Sequence, residues 1–179
     1  MGQVMKIGKI MLTEEEIAAR IEALADKINS DYGNGEVIVV GVLKGCFVFM
    51  SDLIRKLNCD VRTYFMEISS YQNATVSSGK ITIKKDLDVD IEGKNVLIAE
   101  DIIDSGHTLS QLTEILKKRN PKSLKVCTLL SKPARREVEF EADYTGFEIE
   151  DKFIIGYGLD CAEQFRQLPY IAEVDICDE

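Results

Sequence analysis

No stretch of this chain is apolar for long enough to cross a bilayer, which takes about 20 residues. The opening Met1-Gly2-Gln3-Val4-Met5-Lys6 has no apolar signal-peptide core, and Lys6 stands where a myristoylation signal after Gly2 calls for Ser or Thr. The expectation is a cytoplasmic protein with no membrane partner. Paired cysteines are missing too. Cys46, Cys59, Cys127, Cys161 and Cys177 are odd in number and widely spaced, with no C-x-x-C, which argues against a zinc site or dithiol chemistry. They read as scattered thiols in a reducing compartment. Positive charge is in deficit, with 22 Lys and Arg against 31 Asp and Glu, for a net charge of −9. A phosphate backbone would be repelled, so nucleic acid is not an expected partner, although a local basic pocket for a small anion remains open. Internal repeats, low-complexity tracts and interdomain linkers are also absent. The 179 residues are expected to form one domain over 1–179, with a core that needs neither disulfides nor metal.

What is present is an alternation of helical and extended patterns. Thr13-Glu14-Glu15-Glu16 is a capping box, and Ile17, Ile21, Leu24 and Ile28 follow at helical spacing until the polar stretch from Asn29 to Gly35. Val37 to Val42 is a β-branched run of the kind found in buried parallel strands. Leu43-Lys44-Gly45 is a tight turn, and Phe47, Met50, Leu53, Ile54 and Leu57 mark a second helix. Val61 to Ile68 predicts a strand, Ser69 to Gly79 a long polar loop of the kind that often serves as a lid, and Ile81 with Ile83 a short strand. Asp86, Asp88 and Asp90 lack the Gly and terminal Glu of a calcium loop and read as a solvated turn. Leu124 to Leu130 is a further buried strand, and Phe147 to Ile155 and Tyr170 to Val174 are the last apolar runs. The pattern predicts an α/β fold with a mainly parallel twisted sheet flanked by helices.

The chemistry concentrates in one bend. The apolar run Val96-Leu97-Ile98-Ala99 ends in Glu100-Asp101, and Ile102-Ile103-Asp104-Ser105-Gly106-His107-Thr108 leads into an amphipathic helix from Leu109 to Arg119, stopped by Pro121. Ligands of open parallel sheets bind beyond the carboxyl ends of the strands. Adjacent carboxylates there can accept hydrogen bonds from the hydroxyls of a ribose or hold a hydrated divalent cation. The helix start offers unpaired N–H groups and a favourable dipole, Ser105 and Thr108 offer hydroxyls, and Gly106 permits close backbone approach, so a phosphate is the natural ligand. The run is neither a Walker loop, which needs G-x-x-x-x-G-K-[ST], nor a dinucleotide fingerprint, which needs more than one glycine. His107, the only histidine, invites a catalytic role, but its place inside the turn favours its backbone N–H over its ring.

Ile98-Ala99-Glu100-Asp101-Ile102-Ile103-Asp104-Ser105-Gly106 resembles the phosphoribosyl-binding signature of the type I phosphoribosyltransferases, in the branch that acts on 6-oxopurines. The resemblance runs over nearly the whole chain, with further matches in the family's order. It implies the type I fold, with a small hood formed by the N- and C-terminal segments, and a homodimer or homotetramer. The substrates implied are 5-phosphoribosyl 1-diphosphate and a 6-oxopurine base, hypoxanthine or guanine, with Mg2+ as cofactor. Glu100, Asp101, Asp104, Ser105, Gly106, His107 and Thr108 match the phosphoribosyl-binding positions, with Asp104 as the proton-transfer group. Leu43, Lys44 and Gly45 resemble the pyrophosphate loop, and Arg166 a pyrophosphate-contacting arginine. Ser70-Tyr71 resembles the start of the lid. Lys132 matches the lysine that contacts the purine's exocyclic oxygen, Phe153 the aromatic that stacks on the base, and Ile154 the residue whose backbone bonds the base edge. Glu100, Asp101 and Asp160 match metal-associated carboxylates. His107 departs from the Lys or Arg of some relatives, which leaves the backbone cradle intact and alters the charge beside it. A xanthine-preferring enzyme of the same fold is an alternative, since Lys132 and Phe153 suit any 6-oxopurine. An RNA-binding regulator on this fold is a second, against which the net charge of −9 argues.

Overall fold

The computed structural model describes residues 3–70 and 81–178. The seven extended runs read from the sequence coincide in part or whole with eight strands; a ninth, the strand β1 (Gln3–Leu12), matches none of them. Its pairing slips between Ile7 and Ile10 and again between Ile10 and Leu12, so the sequence never shows the strict alternation that marks a strand. Ile7 and Ile10 remain largely exposed.

Helix α1 (Glu14–Tyr32) starts at the expected capping box, where Thr13 and Glu16 satisfy each other's backbone amides. It continues through Asn29 and stops at Gly33, whose φ of 56° ends the helix. Asn29 does not break the helix because its amide is used outside it, donating to the Lys56 carbonyl at 3.1 Å and accepting from the Asn58 amide at 2.8 Å. Then follow β2 (Glu36–Leu43), α2 (Phe47–Ile54), β3 (Asp60–Ser70), β4 (Ile81–Lys85), β5 (Asn95–Ile103), α3 (His107–Lys117) and β6 (Ser123–Ser131). A single 3₁₀ turn, Pro133–Arg135, separates β6 from β7 (Tyr144–Glu148), β8 (Ile154–Ile155) and β9 (Ile171–Asp178).

Two expected boundaries change. Strand β5 does not end before its acids but carries them, because its parallel pairing with β6 continues to Ile103 opposite Ser131. The apolar run from Phe147 to Ile155 is not one element. Its first part pairs with β6 in parallel, its last part pairs antiparallel with β9, and the charged Glu150-Asp151-Lys152 crosses between the two sheets.

The main sheet has the order β4-β3-β2-β5-β6-β7, parallel throughout except for the antiparallel edge strand β4. The second sheet, β1-β9-β8, is built from the two terminal segments and is the expected hood. Strand alternation divides the core. Leu97 and Ala99 of β5 face a cluster with Ile17, Leu24, Ile28, Phe49 and Leu53, whereas Val96 and Ile98 face a cluster with Leu109, Leu112 and Leu116. Both faces of β5, like those of β2, are therefore covered by helices, which gives its carboxyl end a fixed place. None of the described helices is long and apolar enough to cross a membrane.

Removing the Leu97 side chain, which has no solvent exposure, should lower unfolding free energy by about 2–5 kcal/mol in urea titrations. Removing the Thr13 cap should lower it by only about 1 kcal/mol, with turnover preserved.

Candidate active site

Three neighbouring parallel strands, β2, β5 and β6, deliver their carboxyl ends to one edge, and the loops beyond them carry the expected residues. A cavity of about 240 Å³ opens there, lined by Leu43, Ile68, Glu100, Asp101, Asp104, Ser105, Gly106 and Thr108 among others.

The two acids are held in a desolvated setting. Burial and the neighbouring Asp101 charge push the Glu100 carboxyl well above the ordinary carboxylate range. Asp101 is also raised by burial, against the opposing effect of a bond accepted from the Ile102 amide at 2.8 Å. The loop after β2 closes over Asp101. A Cβ on Gly45 would lie 1.7 Å from the Asp101 Oδ2, so no side chain fits at that position. The Gly45 carbonyl is in turn approached by Gly158. Beneath them, Cys46 is fully buried, and burial together with the charges of Glu100 and Asp101 pushes its thiol far up, which leaves it a neutral packing group rather than a nucleophile.

The phosphate-type turn forms as expected, with one difference in detail. Helix α3 begins at His107, two residues earlier than its apolar periodicity indicates, and its N-cap is Gly106 in the left-handed conformation (φ 87°) with no side-chain cap. The Ser105 and Thr108 hydroxyls are therefore not spent on capping. The His107 ring is engaged after all, with Nε2 2.9 Å from the Glu137 carboxylate.

Lys132 stands beside Asp104, with Phe153 and Ile154 next to the residue it bonds. Lys132 is buried, and its Nζ donates to the Lys152 carbonyl at 2.7 Å while standing 3.9 Å from the Asp104 carboxylate. That hydrogen bond ties Lys132 to the residue just before Phe153, which is 58% exposed and so not a core residue. Ile154 is buried in β8. On the opposite side, Arg166 pairs with Asp160 at 2.8 Å and donates to the Gly158 carbonyl at 2.8 Å. Lys44 pairs with Glu163 at 3.0 Å, which also lies 3.5 Å from Arg166. Lys44 and Arg166, far apart in sequence, thus share one acid. Ser70 closes β3, and Tyr71 lies outside the described residues.

Among the described residues no group of three or more His, Cys, Asp and Glu side chains converges on a point. The Asp160 carboxylate is taken by Arg166 and by the Glu163 amide at 2.8 Å. Glu100 and Asp101 nevertheless fit a magnesium ion, which binds through one or two carboxylates and completes its shell with water and substrate oxygens. Two adjacent desolvated carboxyls, both with raised proton affinity, are the donor set that a cation would relieve.

Sequence reasoning missed the wall behind the turn. Arg135, Arg136 and Glu137 follow Lys132 in a segment without helical or strand periodicity, and only the doubled arginine marked it. Arg135 lies 3.5 Å from the Asp104 carboxylate and 3.4 Å from that of Asp151, which was likewise not anticipated.

Because the Glu100 proton is held more tightly in the folded than in the unfolded state, the folded protein retains it as pH rises past the ordinary carboxylate value, and stability falls over that interval. Glu100→Gln should therefore match the wild type in stability below about pH 4, near the ordinary carboxylate value, and exceed it at neutral pH. Thermal melts across pH, without added ligand, check this, and an advantage that shrinks with rising pH would contradict it.

The comparisons with known proteins agree with this geometry. A family model for the phosphoribosyl transferase domain matches residues 9–162. The chain is 48% identical over 165 residues to a hypoxanthine-guanine phosphoribosyltransferase of Bacillus subtilis, covering 92% of each chain. It is also 48% identical over 173 residues to a hypoxanthine phosphoribosyltransferase of Salmonella typhimurium, covering 96% of this chain and 97% of that one. The crystal structure of a hypoxanthine-guanine phosphoribosyltransferase from Bacillus anthracis aligns with a TM-score of 0.90 at 46% identity, over 96% of this chain and 100% of that one. With the family model spanning most of its length and the relatives nearly all of it, the chain belongs to the phosphoribosyltransferase family.

Proposed function

We propose that this enzyme serves purine salvage, moving the 5-phosphoribosyl group from 5-phosphoribosyl 1-diphosphate to N9 of hypoxanthine or guanine, with IMP or GMP and pyrophosphate as products. One observation carries the reading: the Asp104 carboxylate lies between the phosphate-type turn and Lys132, whose Nζ is anchored beside the exposed Phe153. A phosphorylated sugar and a flat base with an exocyclic oxygen can then meet at one carboxylate. The names of the relatives, hypoxanthine or hypoxanthine-guanine phosphoribosyltransferase, support the same base class. They lend nothing to a xanthine-preferring enzyme or an RNA-binding regulator.

In this mechanism Ser105, Gly106, His107 and Thr108 receive the 5′-phosphate at the α3 N-terminus. Glu100 and Asp101 accept hydrogen bonds from the ribose hydroxyls, and their charge stabilises the cationic sugar carbon that develops as the diphosphate departs. Leu43, Lys44, Gly45 and Arg166 receive the diphosphate through backbone amides and two cations. Lys132 donates to the purine's exocyclic oxygen, Phe153 stacks on the ring, and the Ile154 backbone bonds the base edge. As N9 attacks and the C1–O bond breaks toward the diphosphate, Asp104 takes the proton from N7. Magnesium bound by Glu100 and Asp101, with Asp160 nearby, would offset the charge of the diphosphate. Ser70 and Tyr71 begin the lid that excludes water, since hydrolysis of the activated sugar is the competing reaction.

We further infer a single domain over residues 1–179, a cytoplasmic setting and a homodimer or homotetramer. One core cluster joins Ile154 and Ile171 of the hood to Leu97 and Leu129 of the main sheet, which supports the first. The lack of a membrane-length helix among the described residues is consistent with the second. The exposed Phe47 at the edge of a cavity of about 850 Å³ between α1, α2 and residues 157–169, whose lining includes Ile17, Ile21, Val48 and Leu168, supports the third.

Pyrophosphate release measured with hypoxanthine, guanine, xanthine, adenine and uracil should show turnover with the first two. Turnover confined to xanthine, or to adenine or uracil, would overturn the assignment. Asp104→Asn should lower kcat by about 10²-fold or more with little change in either KM. Turnover near wild type would remove Asp104 from proton transfer.

A further inference from the structure

We infer that Arg136 is a positioning residue for the phosphoribosyl loop, holding its backbone in the shape that receives a 5′-phosphate; the inference rests on the phosphoribosyl reading above. A turn that offers its amides to an anion cannot also satisfy itself through internal turn hydrogen bonds. Its carbonyls must be fastened from behind. In this protein the Lys132 amide donates to the Ile103 carbonyl at 2.9 Å, and the rest of that fastening comes from the segment that follows. Arg136 donates through one terminal nitrogen to the carbonyls of Asp104 at 2.5 Å and Ile103 at 3.3 Å, and through the other to the Ser131 hydroxyl at 2.8 Å. Its neighbour Glu137 donates its amide to the Ser105 carbonyl at 3.0 Å. Residues 136 and 137 thereby secure the carbonyls of Asp104 and Ser105 and add a second bond to that of Ile103.

The side chain also packs where the loop is tightest. The Arg136 Cδ lies 3.0 Å from the point where a Cβ on Gly106 would sit, with Val138 at 3.1 Å and Phe140 at 3.4 Å behind the same residue. The guanidinium therefore ties the end of β5 to the end of β6, while its stem backs the N-cap of α3. Its Nε is buried without a hydrogen-bond partner among the described residues, so the fork is placed for the loop carbonyls at the expense of one donor. Arg135, by contrast, is half exposed and reaches the Asp104 carboxylate from the solvent side. A lysine cannot reproduce the Arg136 contacts, because a single ammonium cannot bridge the carbonyls on one side and the hydroxyl on the other.

The readout that separates loop positioning from general folding is selectivity for phosphate. IMP and inosine differ only in the 5′-phosphate, so their affinities, measured by isothermal titration for wild type, Arg136→Ala and Arg136→Lys, isolate that group. Arg136→Ala should weaken IMP by about 10- to 100-fold, the equivalent of losing a charged hydrogen bond, and change inosine by about 2-fold or less. The KM for 5-phosphoribosyl 1-diphosphate should rise in parallel. Arg136→Lys should fall between the two and retain a melting temperature close to wild type. An Arg136→Ala protein that keeps the wild-type preference for IMP, or loses both ligands equally, overturns the inference. If that variant does not fold, Arg136→Lys decides, and a wild-type IMP-to-inosine ratio in it overturns the inference. A wild-type protein that binds the two ligands alike overturns the phosphoribosyl reading itself and this inference with it.

Discussion

The site depends on two adjacent carboxyls being desolvated at the end of a strand that is packed on both faces. Glu100 and Asp101 sit where β5 leaves the core, with helices packed on both faces of that strand. Desolvation makes both acids reluctant to ionise, an unfavourable arrangement that a folded protein keeps only when the surroundings fix it. The surroundings here have been reduced to backbone. Gly45 comes so close to Asp101 that a methyl group would collide with it, and Gly158 approaches the Gly45 carbonyl in turn. Two loops are thus packed through main chain against the Asp101 side chain, and the acids gain a setting of low polarity without being sealed from a ligand.

That packing explains why motifs far apart in sequence share one cavity. In a parallel sheet all carboxyl ends lie at one edge, so adjacency in the sheet replaces adjacency in the chain. Strands β2, β5 and β6 are direct neighbours. Lys44 follows the first, Asp104 the second and Lys132 the third. The hood adds the remaining wall by pairing the chain's two terminal segments, which carries Phe153 and Ile154 to the open side of Lys132.

The sequence disclosed whatever was encoded by local periodicity or by a compact motif. The capping box at Thr13, the β-branched run of β2 and the bend from Glu100 to Thr108 are each legible because neighbouring residues carry the whole signal. Strand β1 was hidden by its two register slips, and β8 by its two-residue length within a longer apolar run. The support behind the phosphate turn was hidden for a different reason. Arg136 acts through hydrogen bonds to carbonyls more than thirty residues away, and a residue's reach across a fold leaves no periodic mark. The place of His107 at the start of α3 is legible from the turn, but the Glu137 carboxylate that meets its ring cannot be inferred from spacing.

A final constraint comes from charge. This is an acidic chain that must attract a highly anionic substrate, and it does so without leaving the cations of the site bare. Lys44 rests on Glu163, Arg166 on Asp160, and Arg135 bridges Asp104 and Asp151. Each pair is partly open to water, where an ion pair contributes little net stability. In the proposed mechanism an incoming diphosphate brings several charges and a fixed geometry to Lys44 and Arg166 together, whereas Glu163 offers them one carboxylate. The acids therefore act as weak placeholders that a multivalent anion can displace and a monovalent one cannot readily match. Lys132 differs from these cations. It is the most buried of the four, and its ammonium is directed by the Lys152 carbonyl, which in the proposed reading suits recognition of a neutral base by a single oxygen. In the proposed reading, an exposed Lys44 and a part-buried Arg166 resting on acids face the charged leaving group, and a buried Lys132 directed by a carbonyl faces the uncharged ring, which are the two electrostatic demands of one reaction centre between a sugar diphosphate and a purine.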